Sequence, residues 1–490
     1  MKVELHHSYE QRLPADDAHP YRTGAWRPQH KEFDAWNLEV VGEIPRDLNG
    51  VYLRNTENPL FEPIKRYHPF DGDAMLHSMS FEDGEARYAN RFVQTDAFIA
   101  EQQAQQSLWA GITEHPSNAR AEHGWGARTM MKDNASTDVI VHGGKALASF
   151  YQCGELYALD PQTLEQLGKT EWQGQFPKEG VSAHPKLDEH TGELLFFNYG
   201  LDAPFMHYGL VSPDGRLANY IDIPVASPRL PHDMAFTENY AILNDLPLYW
   251  DVKSLAEGHF SNRFHRDEPS RFAVVPRKGT TADIKWFEAD PTFVLHWTNA
   301  YEDGDEVVLE GFFQHNPTAR GVARATGNMK GFETLDMNVL EARAHRWRFN
   351  MQTGACREES LSDTCCEFPM INGRHAGRKH RYSYNARCAK NLFAFDGLIK
   401  HDLQSGVEEI VDMPKGVYLS ETVMAPRDGS TDEDDGYLVT FTTDINNDLS
   451  ECLVLDAKAP RTEPLARIRL PERIASGTHS TWAPLADLKM

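Results

Sequence analysis

The sequence predicts an all-β fold of the propeller type, and three observations carry that prediction. Short apolar or alternating runs recur from residue 50 to the end, each of strand length and bounded by turn residues. Long amphipathic helical patterns are scarce. So many short strands with hairpin-like connections suit radial repetition, in which four-stranded blades leave few exposed edges.

In chain order the runs are "DVIVHGGKALASFYQCGELYALD", "GELLFFNYG", "GRLANYIDI", "YAILNDLPLYW", "EVVLEGFF", "NLFAFDGLIKHDL", "GYLVTFTTD" and "ECLVLDA". Between them stand turn dipeptides: Asp83-Gly84, Thr191-Gly192, Asp214-Gly215, Thr353-Gly354 and Ser405-Gly406. Each suits a tight hairpin because Gly takes positive φ freely. The repeats diverge too far for their spacing to fix the number of blades. Helices are expected only as excursions, in "AFIAEQQAQQSLWAGI" (97–112) and "NMKGFETLDMNVLEARAHRWRF" (328–349), both read as caps over one face. The stretch 421–437 contains an acidic loop, expected to be solvated. No linker divides the chain, so it is read as one domain, 1–490, with a core from about 40 to 490.

Composition narrows the function. A chain of 490 residues with 40% hydrophobic and 25% charged residues has the make-up of a globular enzyme. Its formal charge of −24 is spread along the chain and argues against a nucleic-acid partner. The N-terminus shows no apolar signal core and no run reaches the length of a membrane span, so a cytoplasmic location is expected. Six cysteines form no CxxC pair. The adjacent Cys365 and Cys366 are expected to be reduced packing residues, and a thiolate metal site is not expected.

Histidines offer the chemistry instead. His184 in "SAHPK", His232 in "RLPHDMAF", His296 in "FVLHWTN" and His479 in "SGTHSTW" share one local setting, a turn flanked by strand-like sequence. Their separations rule out a local HExxH-type site, but in a propeller they can arrive from different blades and converge on the axis. Neutral imidazoles suit Fe(II), Zn(II) or Cu(II) and leave the ion its full charge.

Nine stretches in order ("NGVYLRNTENPLFEP", "YHPFDGDAMLHSMSFEDGEARYANRFVQT", "SAHPKLDEHTGELLFFNYG", "LPHDMAFTENYAI", "LHWTNAYEDGDEVVLEGFF", "CEFPMIN", "YLSETVMAPR", "EDDGYLVTFTTD" and "SGTHSTW") resemble the carotenoid cleavage oxygenase family, which includes carotenoid and apocarotenoid oxygenases, lignostilbene dioxygenases and the retinal-pigment-epithelium isomerohydrolase. The resemblance runs from about residue 40 to the C-terminus. It implies a seven-bladed propeller with a non-haem Fe(II) on the axis, held by His184, His232, His296 and His479. It also implies outer carboxylates that orient these rings, Glu367 of "CEFPMIN" and Glu421 of "LSETV". A third such position usually holds Glu and here holds Gln152, an acceptor without charge, which implies a slightly more electron-poor metal.

The implied reaction is scission of a conjugated C=C bond with O₂ as co-substrate, giving two carbonyl products and needing no external reductant. Relatives that cleave 4-hydroxystilbenes clamp the phenol with a Lys and a Tyr. Here the Lys-Glu pair reads Tyr151-Gln152, and Ile112 or Thr113 falls where the Tyr would be. Phe70 matches an aromatic that lines the cleft, and Ala74 stands where Gly is common. An apolar tunnel for a carotenoid or apocarotenoid is therefore the expectation, with Tyr151 available to a substrate hydroxyl or carbonyl. The alternatives are a lignostilbene or phenylpropene substrate, an isomerase or hydrolase on the same architecture, and a propeller scaffold without chemistry. Carotenoid-processing relatives also imply weak peripheral membrane contact, for which "LDAPFMHYGL" and "NDLPLYWDV" are the apolar candidates.

Overall fold

The computed structural model describes residues 1–112, 114–120, 132–250, 262–317 and 337–489. Its strands form seven antiparallel blades around one axis. Blade 1 comprises Asp138–His142, Lys145–Ser149, Tyr157–Leu159 and Gln166–Lys169, paired in sequence order. Blade 2 follows with Lys186–Asp188, Glu193–Tyr199, Met206–Val211 and Leu217–Asp222. Blade 3 has Ala235–Phe236, Tyr240–Asp245, Ser270–Pro276 and Lys285–Ala289. Blade 4 is built from Trp297–Asp303, Glu306–Gln314 and Ala342–Asn350. Its outer strand is the first part of Cys356–Met370, whose last part becomes the inner strand of blade 5. Tyr382–Cys388, Phe395–Asp402 and Val407–Asp412 complete blade 5. Blade 6 is Val423–Pro426, Gly436–Asp444, Leu449–Asp456 and Ala466–Arg469.

Blade 7 closes the ring from both ends of the chain. The C-terminal strand Ser480–Pro484 pairs with Gly50–Arg54, in register from Ser480 opposite Arg54 to Pro484 opposite Gly50, and Asp73–Glu82 and Glu85–Phe92 continue the sheet outward. Gly50 is required there, since a Cβ would lie 2.3 Å from the Trp482 ring.

The strands read as buried on both faces because each blade packs between two others. In blade 3, Ala241, Leu243, Ala273 and Val275 pack against Leu195, Phe197, Tyr208 and Leu210 of blade 2. The intervening Ile242, Phe272 and Val274 pack against Val307, Leu309, Trp347 and Phe349 of blade 4. The two-residue period thus sends alternate side chains into neighbouring interfaces.

Three expectations change. The first excursion is helical over Asp96–Ala104, but in the second only Met337–Leu340 is a helix, and 328–336 lie outside the described residues. "ARAHRWRFN" is strand because its two faces pack into different interfaces, Ala342 and Ala344 with Cys366 and Ile399 toward blade 5 and Trp347 and Phe349 with Phe272 and Val274 toward blade 3. The acidic loop is tied into its surroundings as well as solvated. Glu433 accepts from the Arg381 and Tyr382 amides, Asp434 pairs with Lys400 and Asp432 with Lys458. Of the two apolar segments, Met206, Tyr208, Leu210, Leu246 and Leu248 are core. No helix among the described residues is long and apolar enough to cross a membrane. The six cysteines are free thiols, Cys366 buried and Cys365 half-buried.

Candidate metal centre

Seven inner strands meet around the axis, and each carries one chemically distinctive residue at the same end. Asp138 begins the inner strand of blade 1. His184, His232 and His296 stand within three residues ahead of those of blades 2, 3 and 4. Glu367 lies where the inner strand of blade 5 bulges, and Glu421 and His479 precede those of blades 6 and 7. A turn entering an inner strand is the narrowest part of a propeller, so seven remote positions become one cluster. Downstream of it the same strands line a cavity of about 330 Å³ on the opposite side of the ring, with Lys186, Met234, Trp297, Met370, Met424 and Trp482 on its walls.

The four imidazoles offer ligand atoms that all lie within 4.8 Å of one another. Ring centroids are 4.4 Å apart for His184 and His479, 4.7 Å for His296 and His479, and 5.1 Å for His232 and His296. Carboxylates from adjacent blades hold three of the rings. Asp138 Oδ2 lies 2.8 Å from His184 Nδ1, Glu367 Oε2 2.6 Å from His296 Nδ1, and Glu421 Oε1 3.4 Å from His479 Nδ1. Glu367 and Glu421 are themselves fixed by the backbone amides of Phe368 at 2.8 Å and Ser480 at 2.6 Å.

A carboxylate at Nδ1 keeps the ring proton there and turns the Nε2 lone pair toward the centre. Burial adds to this, pulling His184 and His296 well below the usual imidazole range and His232 down to about 3. Burial acts the same way on His479, but the Glu421 charge outweighs it and raises that ring. Burial also pushes Glu367 well up and Asp138 up to about 7.

These residues fit a metal ion. His296 Nε2 is buried with no hydrogen-bond partner among the described residues, and His184 Nε2 faces His232 Nε2 at 3.2 Å. Inward lone pairs in a dry site are what a cation resolves, and an all-nitrogen set suits Fe(II) or Zn(II).

His232 is the exception among the four, having no carboxylate within salt-bridge distance among the described residues. Its neighbour Asp233 is engaged elsewhere, 2.7 Å from Lys186 Nζ and accepting the Trp297 amide at 2.9 Å. Gln152, expected to orient a ring, makes no hydrogen bond to any of the four among the described residues. It stands in the turn after Lys145–Ser149, where Cys153 takes φ +66. The third carboxylate on the rings is instead Asp138, missed in the sequence because a lone Asp in "STDV" carries no mark of what it will face.

Aromatics cover the centre on one side. Tyr151 lies 6.5 Å from His232 and 5.6 Å from Phe70, and Phe70 lies 6.4 Å from Phe393. Phe368 stands 6.3 Å from Phe393, stacks on His479 at 4.6 Å and meets His296 at 4.7 Å. Trp109, Phe150 and Ile112 thicken the wall beside Tyr151, while Thr113 lies outside the described residues. Phe368 has φ +51 at the bulge, a conformation uncommon for a large side chain and one that swings its ring between two histidines. Nothing in "CEFPM" beyond its place after Glu367 pointed to that role.

Known proteins agree with this geometry. A family model described as retinal pigment epithelial membrane protein matches residues 26–484. A carotenoid 9,10(9',10')-cleavage dioxygenase of Pisum sativum is 33% identical over 505 residues, covering 96% of this chain and 90% of the relative. An isoeugenol monooxygenase of Pseudomonas nitroreducens is 30% identical over 486 residues, covering 95% and 98%. Among solved structures, lignostilbene dioxygenase of Pseudomonas brassicacearum superposes with a TM-score of 0.84 at 28% identity, covering 95% of this chain and 99% of its own. A Synechocystis apocarotenoid oxygenase variant gives 0.81 at 26%, covering 93% and 97%. The chain belongs to the carotenoid cleavage oxygenase family.

Proposed function

We propose that this member of the carotenoid cleavage oxygenase family is a non-haem Fe(II) dioxygenase that cleaves a conjugated C=C bond of a carotenoid or apocarotenoid. His184, His232, His296 and His479 would hold the iron. Bound there, Fe(II) supplies the electron-transfer chemistry and open coordination positions that allow O₂ to react with an alkene.

The protein's own contribution is positional. Asp138, Glu367 and Glu421 keep protons on the outer nitrogens of their rings, so the inner nitrogens remain free to bind. Phe70, Tyr151, Phe368 and Phe393 offer flat apolar surface to a polyene and exclude water from the reacting bond. The alkene provides the four electrons that reduce O₂, and each alkene carbon leaves as a carbonyl.

The observation that carries this reading is the conjunction of four inward imidazoles with a wall of aromatic side chains, Phe70, Tyr151, Phe368 and Phe393. A second reading, scission of a stilbene or phenylpropene, is favoured by Tyr151, whose buried, neutral phenol can bond a substrate oxygen. The test is product analysis by mass spectrometry after incubating the Fe(II)-loaded protein in air with an apocarotenal, a 4-hydroxystilbene or isoeugenol. Shortened polyene aldehydes are expected. Benzaldehydes alone would establish the second reading, and products free of label from ¹⁸O₂ would overturn oxygenation altogether.

A further inference from the structure

One ring contact was assigned by neither motif nor resemblance. The expected site for a third outer carboxylate is residue 152, which holds Gln, yet three of the four rings have a carboxylate neighbour. The third is Asp138, the first residue of the inner strand of blade 1, with Oδ2 2.8 Å from His184 Nδ1. The side chains of His184 and Asp138 are 4% and 16% exposed, so water screens this contact little.

The topology accounts for the pairing. Taken once around the ring, the inner-strand positions are Asp138, His184, His232, His296, Glu367, Glu421 and His479. Every carboxylate–imidazole contact joins neighbouring blades: 1 to 2, 4 to 5 and 6 to 7. Four imidazoles and three carboxylates on seven blades leave one ring over, and that ring is His232. Asp138 and Glu421 each back the ring of the following blade, whereas Glu367 backs that of the preceding one.

We propose that Asp138 is a positioning residue for His184, supplying from blade 1 the outer charge that residue 152 does not supply, so that the metal is held through three carboxylate-backed rings with His232 as the unbacked fourth. This inference rests on the reading that the four rings bind a metal. The Asp138 side chain accepts the His184 Nδ1 proton and fixes that ring's rotation, and its charge makes the inner nitrogen a better donor.

The test uses the full-length protein loaded with Co(II), whose visible absorption and paramagnetic proton spectrum report on ligation without turnover. Wild type is expected to show slowly exchanging ring N–H resonances from three imidazoles. In Asp138→Ala one of them should be lost and Co(II) should bind about 10- to 100-fold more weakly. Asp138→Asn, which keeps an acceptor without charge, should retain the resonance with an intermediate loss of affinity, and Asp138→Glu should recover more affinity than Ala. Circular dichroism of each metal-free variant separates misfolding from loss of ligation, and the near-isosteric Asn variant serves if Ala does not fold. Unchanged affinity and spectra in a folded Asp138→Ala or Asp138→Asn protein would overturn the inference while leaving the metal site standing. Failure of the wild type to bind Co(II) or Fe(II) would instead overturn the reading beneath it.

Discussion

His296 and His232 point at the same centre but are held in opposite ways. His296 is buried, its outer nitrogen 2.6 Å from Glu367, and Phe368 packs on its ring at 4.7 Å. His232 is half-buried, has no carboxylate on its ring among the described residues, and faces Tyr151 and the Phe70 wall. Both rings meet an aromatic side chain, but only His296 is also held from behind by a charge. The difference teaches that the outer carboxylate, rather than aromatic packing, is what separates the two rings, and that the arc without one is the arc bordered by Tyr151 and Phe70.

The largest effect should come from removing the strongly held ring. His296→Ala should lose most of its iron after reconstitution and all measurable product, whereas His232→Ala should retain more iron. Elemental analysis of both proteins decides this, and equal iron contents would erase the contrast. Glu367→Gln keeps the shape and removes the charge, so Fe(II) affinity should fall about 10- to 100-fold by competitive chelation. Gln152→Glu, at a side chain that bonds none of the four rings among the described residues, should change affinity by less than Glu367→Gln. A loss from Gln152→Glu as large as that from Glu367→Gln would mean that residue 152 already acts on the ring.

On the apolar arc, Tyr151→Phe should leave turnover of a hydrocarbon-ended polyene nearly unchanged. It should lower kcat/KM for a hydroxylated substrate by about 2- to 10-fold, the worth of one neutral hydrogen bond. A general loss across both substrates would make Tyr151 part of the wall rather than an anchor.

The smallest effect concerns the turn that carries Phe70. Asp71 accepts the His68 and Ile112 amides at 2.9 Å each, and burial pushes its carboxyl up to about 7. The folded state therefore keeps a proton that the unfolded chain releases near pH 4. Its contribution to stability is greatest below that point and is lost as pH rises toward about 7. Asp71→Asn mimics the neutral acid, so its melting temperature should lose on the order of a few degrees less than wild type between pH 4 and 7. Parallel melting curves across that range would contradict the assignment.

Much of this was open to the sequence. The strand runs, their Gly turns and the four histidines in similar turns follow from periodicity and residue chemistry, and the resemblance attached Glu367 and Glu421 to those rings. "ARAHRWRFN" was misread as helix because a short stretch of mixed residues shows its two-residue period only when both faces are packed. Thr95 caps the helix Asp96–Ala104, accepting the Phe98 amide at 3.0 Å, which agrees with an excursion starting there.

The sequence by itself determined the residue types: imidazoles without thiolates, strands that alternate, aromatics near "PFDGD" and "CEFPM". Only the tertiary structure decided which carboxylate meets which ring. That choice depends on the angular order of seven inner strands and on a bulge at Glu367, neither of which has a local signature. Residues 138 and 184 lie on adjacent blades and point toward one axis, so their contact at 2.8 Å exists only once blades 1 and 2 have packed side by side. Residue 152 sits closer to residue 184 in the sequence, but it leaves blade 1 in a turn and does not reach a ring.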